Sequence, residues 1–141
     1  MKRTFQREDE LIDFGRSFAR RLAPGDVVAI SGPLGSGKTT LVRSIVEERL
    51  GADLTSSPTF TFWHRYGEAS RTPIEHLDLY RIERPSEIAE LGLEEAFSPQ
   101  AIVLVEWWTN APELLPARRF EIALEGAGDG PRRLSLREPA P

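Results

Sequence analysis

Apolar residues recur along the chain in two rhythms, one helical and one extended. Leu11, Phe14, Phe18 and Leu22 fall at helical spacing and predict an amphipathic helix over 8–22. Pro24-Gly25-Asp26 ends it and turns into Val27-Val28-Ala29-Ile30, which reads as a buried parallel strand over 27–31. Helical spacing resumes at 40–46, predicting a helix over 37–50 that Gly51 stops. Residues 60–66 alternate like a strand, 67–72 turn, and 74–80 return, which predicts an antiparallel hairpin. Pro85 opens a helix over 85–91, and a second short helix follows Gly92 at 93–97. Residues 101–105 form the most continuous apolar run and predict a central strand. Strands at 120–124 and 133–136 flank a glycine-rich turn at 126–131, residues 2–6 suit a short edge strand, and the tail from Glu138 reads as frayed. Together these predict an α/β fold with a mostly parallel central sheet, an added antiparallel hairpin and helices on both faces.

Between the strand at 27–31 and the helix at 37–50 lies Gly32-Pro33-Leu34-Gly35-Ser36-Gly37-Lys38-Thr39, the spacing of a phosphate-binding loop. Its glycines let the backbone curl so that successive N–H groups point at phosphate oxygens. Lys38 supplies an ammonium for the β- and γ-phosphates, the Thr39 hydroxyl can ligate Mg²⁺, and the following helix aims its positive end at the same anion. A strand before and a helix after the motif predict a P-loop NTPase.

Composition narrows the setting. A chain of 141 residues has room for one domain, 1–141, with a real core. Its content is 40% hydrophobic and 28% charged, ordinary for a globular protein. There is no apolar stretch of membrane-spanning length, the first residues lack the apolar core of a signal peptide, and there is no cysteine. These features are consistent with a cytoplasmic protein that has no membrane partner. The net charge of −4 gives no global electrostatic case for direct nucleic-acid binding. Lysine occurs only at positions 2 and 38; the other basic residues are arginine.

Val103-Leu104-Val105-Glu106 has the form of a buried strand ending in a carboxylate. In a doubly wound sheet Glu106 would emerge beside the phosphate loop, where it could hold Mg²⁺ or orient water. Asp78 stands near another strand end and could position water or Mg²⁺, or simply cap a turn. The hydroxyl-rich segment 55–59 lies where P-loop proteins carry a switch loop, and equally suits an ordinary polar connection. Trp107 and Trp108 suit packing and a lid over the sheet edge, or a nucleotide or partner contact. His64 and His76 lie in strand patterns and read as structural rather than metal-binding.

The combination of Gly32-Pro33-Leu34-Gly35-Ser36-Gly37-Lys38-Thr39-Thr40, Ser57-Pro58-Thr59-Phe60-Thr61, His76-Leu77-Asp78-Leu79-Tyr80-Arg81, Glu90-Leu91-Gly92 and Val105-Glu106-Trp107, in that order, resembles the TsaE family. These are the bacterial ATPases of tRNA threonylcarbamoyladenosine biosynthesis. The likeness covers about residues 5–137. It implies ATP bound by Leu34, Gly35, Ser36, Gly37, Lys38, Thr39 and Thr40, with Glu8 lying by the nucleotide. It further implies Mg²⁺ held by Thr39 and Glu106, and roles for Thr59 and Asp78 near the γ-phosphate. One position departs: the family usually has proline after V-E-W, and here Trp108 stands there.

The resemblance implies an ATPase that neither makes the threonylcarbamoyl adenylate nor transfers it to tRNA. It would associate with the TsaB–TsaD heterodimer that modifies adenosine 37, its hydrolysis sustaining turnover of that complex, and would reach tRNA indirectly. A local basic patch could still form from Arg118, Arg119, Arg132 and Arg133. In this scheme Lys38 and the loop amides stabilise phosphate charge, Thr39 and Glu106 place the metal, and Asp78 or Thr59 orients water. Two other classes fit the same loop: a small-molecule kinase, which would need an acceptor pocket and a lid, and a nucleotide-dependent switch protein.

Overall fold

A computed structural model describes residues 1–51, 56–60 (backbone), 62–67, 70 and 72–140 of the chain. Eight strands form one sheet: β1 (Lys2–Phe5), β2 (Val27–Ser31), β3 (Ser56–Phe60), β4 (Trp63–Tyr66), β5 (Ile74–Asp78), β6 (Ile102–Glu106), β7 (Phe120–Glu125) and β8 (Arg132–Arg137). Their order across the sheet is β1-β8-β7-β2-β6-β5-β4-β3. The helices are α1 (Glu8–Arg21), α2 (Lys38–Leu50) and α3 (Ser86–Leu91). Single 3₁₀ turns lie at Leu93–Ala96, Trp108–Asn110 and Pro112–Leu114.

The sheet is mixed, which corrects the expectation of a mostly parallel one. Among the described residues β2 runs parallel to β6 and β7, and β5 parallel to β6, while the other four pairings are antiparallel. The reason lies in the connections. Parallel neighbours need a crossover of a dozen or more residues, whereas β3–β4, β4–β5 and β7–β8 are joined by short turns that permit only antiparallel pairing. The parallel part is therefore confined to four strands, β7-β2-β6-β5, whose C-terminal ends include those of β2, β5 and β6.

The segment read as a polar loop is largely the edge strand β3, and the extended run after it breaks before β4. Pro58 is compatible with this because an edge strand can leave one N–H position unpaired. Thr55 and Thr61 lie outside the described residues. The tail is tied down more than its composition predicts: Arg21 binds the Glu138 carboxylate, and Arg118 donates to the Ala140 carbonyl at 2.8 Å.

Alternation along the central strands divides the core into two layers. Val28, Ile30, Ile102 and Leu104 face α1 and α2, packing with Leu11, Phe14, Phe18, Leu41 and Ile45. Val27, Ala29, Val103 and Val105 face the other way, against Leu79, Ile82, Leu93 and Leu115 from short turns. Each fully buried Val, Leu, Ile or Phe among them contributes about 1.5–3 kcal/mol. Both faces carry helices, but the long ones share a single face.

α1 begins with Glu8, Asp9 and Glu10 and ends with Arg20 and Arg21, the charge order that complements its dipole. The Glu10 carboxylate accepts from the Gln6 and Arg7 amides at 3.1 and 3.0 Å, satisfying donors before the first turn. α2 ends where the Gly51 amide donates to the Glu47 carbonyl at 2.8 Å. Across the helix pair Arg49 donates to the Leu22 carbonyl at 2.9 Å, which fixes the end of α1.

Candidate functional site

β2 delivers the chain at Ser31 to the loop 32–37, and α2 starts at Lys38. Gly37 is the helix N-cap at φ 108°, a left-handed conformation that a side chain would strain. A Cβ there would also meet Leu11 Cδ2 at 2.8 Å, so α1 packs directly on the loop. The Ser36 amide donates to the Pro33 carbonyl at 3.1 Å, closing a turn. Ser36 is fully buried, while Leu34 stands at the tip, 66% exposed.

Lys38 is buried despite its charge. Its Nζ donates to the Gly32 and Pro33 carbonyls and lies 4.5 Å from the centroid of the Trp107 ring. Burial lowers its pKa from the ordinary 10.5, and the negative charges of Glu106 and then Asp78 oppose that shift. The ammonium therefore senses both acids.

Those acids end adjacent parallel strands in register, Asp78 beside Glu106, with Glu106 beside Ile30 on β2. Glu106 is only 6% exposed, and its Oε2 lies 2.6 Å from His76 Nε2. Asp78 accepts the Tyr80 amide at 3.1 Å, an Asx turn that ends β5 two residues before the expected limit. The carboxylate thus caps a turn at the site itself. Trp107 follows Glu106 at φ 57°, ψ 35°, left-handed for a bulky residue, at a cost of about 1–3 kcal/mol. Its ring packs on Tyr80 at 4.9 Å and covers Lys38. Trp108 opens the next 3₁₀ turn. Proline is readily accepted at such a first position, which explains why either residue suits it.

Two cavities flank the loop. One, of 300 Å³, is bounded by Glu8, Gly35, Gly37 and Thr40 on one side and by Gly128 of the β7–β8 turn and Arg132 at the start of β8 on the other. Arg132 spans it, donating to the carbonyls of Gly35, Gly128 and Gly130 at 3.2, 2.8 and 2.7 Å. The other, of 260 Å³, is lined by Thr39, Arg43, Tyr66 and His76 among others. Burial raises the Tyr66 pKa, with Glu106 adding to the rise and Arg43 opposing it.

The structure thus gathers Lys38, Glu106 and Asp78, and sets Glu8, Gly35, Gly37 and Thr40 around one cavity. Thr59 lies in β3 at an irregularity of the β3–β4 ladder, two strands beyond β5 in the sheet, and its side chain lies outside the described residues. The four arginines offered as a basic patch each have partners. Arg119 pairs with Glu121 at 3.0 Å, Arg133 with Glu125 at 3.5 Å, and Arg118 and Arg132 bind carbonyls. Sequence reasoning named Arg132 only for a basic patch and missed its reach to the Gly35 carbonyl, which no motif marks. It also missed the contact of His76 with Glu106, although residues two apart on a strand share a face and Asp78 stands two beyond His76.

A family model described as "Threonylcarbamoyl adenosine biosynthesis protein TsaE" matches residues 5–134. The chain belongs to the TsaE family. Its relatives in the family include the tRNA threonylcarbamoyladenosine biosynthesis proteins TsaE of Bacillus subtilis and Rickettsia bellii. The first is 40% identical over 80% of this chain and 70% of that protein, the second 40% over 92% and 89%. The crystal structure of Bacillus subtilis YdiB superposes with a TM-score of 0.80 at 31% identity, covering 99% of this chain and 86% of that one. Among the described residues no helix is long and apolar enough to cross a membrane.

Proposed function

We propose that this protein binds Mg–ATP at loop 32–39 and hydrolyses it in support of threonylcarbamoyladenosine formation at adenosine 37 of tRNA. Its partner in this reading is the TsaB–TsaD heterodimer, through which it reaches tRNA. The role in threonylcarbamoyladenosine biosynthesis rests on the family. The ATPase reading is carried by one observation: a buried ammonium, Lys38, at the base of a glycine loop and a helix N-terminus, facing two acids on neighbouring strand ends. That is the arrangement a P-loop NTPase uses, with ligand at the carboxyl ends of parallel strands.

The donors suit Mg²⁺. Among the described residues no cluster of three or more histidine, cysteine or acidic side chains could cage a metal, and Mg²⁺ is commonly held by one or two protein oxygens plus phosphate and water. Thr39 and the buried carboxylate of Glu106 would hold it. When bound it would offset charge on the β- and γ-oxygens. Lys38 and the amides of 34–40 bind the phosphates. Asp78 or Thr59 orients the attacking water, and the cavity beside Glu8 and Thr40 takes the nucleoside. Positioning and electrostatics then supply nearly all of the rate.

The test is Lys38→Ala. ATP hydrolysis and ADP binding should be lost, and cells carrying only this variant should have depleted threonylcarbamoyladenosine by mass spectrometry of tRNA nucleosides. Hydrolysis at the wild-type rate would remove the proposal.

A further inference from the structure

His76 holds the carboxylate on which that reading depends, and its chemistry there is specific. Its Nε2 lies 2.6 Å from Glu106 Oε2, and an ionised carboxylate only accepts, so Nε2 carries the hydrogen and donates. The register explains how they meet. His76 stands opposite Leu104 in the parallel β5–β6 ladder, and its ring reaches one step along the same face to Glu106. On the other side His64 is its direct cross-strand partner, with ring centroids 6.3 Å apart, so the imidazole is backed by a second ring.

Folding alone does not account for an imidazole at this place. Its second nitrogen, Nδ1, is buried without a hydrogen-bond partner among the described residues. An apolar side chain would fill the position on β5 without that orphan, so what the ring supplies is the donor on Glu106. His76 also lines the same cavity as Thr39, so the group that grips Glu106 faces the helix turn bearing the other Mg²⁺ donor.

We propose that His76 is a positioning residue whose Nε2–H fixes the Glu106 carboxylate, commits Oε2, and leaves Oε1 to serve the divalent cation. The inference rests on the Mg–ATP reading and adds the group that sets its acid. Loss of an outer hydrogen bond of this kind lowers metal affinity or activity by roughly 10- to 100-fold.

The experiment uses Mn²⁺ as the probe, with free Mn²⁺ followed by electron paramagnetic resonance in the presence of ADP. His76→Leu, His76→Gln and His76→Asn are compared with the wild type, and circular dichroism reports the folding of each. The glutamine amide nitrogen can occupy the place of Nε2, and that of asparagine the place of Nδ1. Mn²⁺ affinity should fall roughly 10- to 100-fold in the leucine and asparagine variants and return to within about threefold in the glutamine variant. ADP affinity without a divalent cation should stay near wild type in all three. If the leucine variant fails to fold, glutamine against asparagine carries the comparison. Wild-type Mn²⁺ affinity in the leucine or asparagine variant, or equal losses with glutamine and asparagine, would overturn the inference while leaving the nucleotide reading intact. A wild-type protein that bound no Mn²⁺–ADP would overturn both.

Discussion

Gly15 sets how closely α1 approaches α2, and replacing it with alanine tests whether that spacing shapes the site. A Cβ on Gly15 would lie 1.8 Å from Ser44 Oγ, 2.9 Å from Ser44 Cβ and 3.3 Å from Leu41 Cδ1. Rotating Ser44 removes the first overlap but breaks its bond to the Leu41 carbonyl, 2.7 Å long in a buried setting. The second overlap survives any rotation, because Cβ does not move, so the helices must part. Helix propensity alone favours alanine by about 0.5–1 kcal/mol. Overpacking costs about 1–3 kcal/mol and the lost hydrogen bond about 0.5–1.5. Gly15→Ala should therefore destabilise by about 1–3 kcal/mol. The site should feel it too, since Leu11 and Glu8 on α1 border the loop, and ADP should bind more weakly. Urea unfolding followed by circular dichroism measures the first effect and fluorescence titration the second. Adding Ser44→Gly reopens the space, so the double variant should show a favourable coupling of at least about 1 kcal/mol. An unfolding midpoint raised by Gly15→Ala, or a coupling of zero, would refute the packing argument.

Two further outcomes follow from the site. Arg132→Ala removes the link between the β7–β8 turn and Gly35, and should weaken ADP binding about 3- to 10-fold with little change in melting temperature; unchanged affinity would discount the link. Lys38 has a lowered pKa through burial, so between that value and 10.5 the unfolded chain binds more protons and stability rises with pH. ADP affinity runs the opposite way through the same window, because the diphosphate needs the ammonium. Calorimetric titration up to about pH 10 should show the decline, and constant affinity would refute it.

Most elements were legible because strong periodicity and end signals coincide. The stripe Leu11–Phe14–Phe18 is the buried face of α1, and the glycines at 37 and 51 bound α2. Strand direction was the weaker reading. The six-residue turn between β7 and β8 was visible and is too short for a crossover, yet buried apolar strands suggested a mostly parallel sheet with a single antiparallel hairpin. The site was legible where a motif compresses it, at loop 32–39 and Glu106. It was illegible where contacts join distant segments: Arg132 reaches Gly35 across 97 positions, and His76 reaches Glu106 across 30. Gly15 also escaped, since a glycine inside a helical pattern gives no sign of the serine that will press against it.

The two flanks of the sheet are built to unequal strength. α1 and α2 clasp one side with two long helices, whereas the other is roofed by α3, six residues long, and three single turns. Short turns open locally at less cost than helices whose whole face is buried. The backbone just beyond Asp78 and Glu106, which leads into that thin roof, can therefore yield while the clasped side stays shut. Opening there would move the strand ends that carry the two acids without unseating the glycine loop.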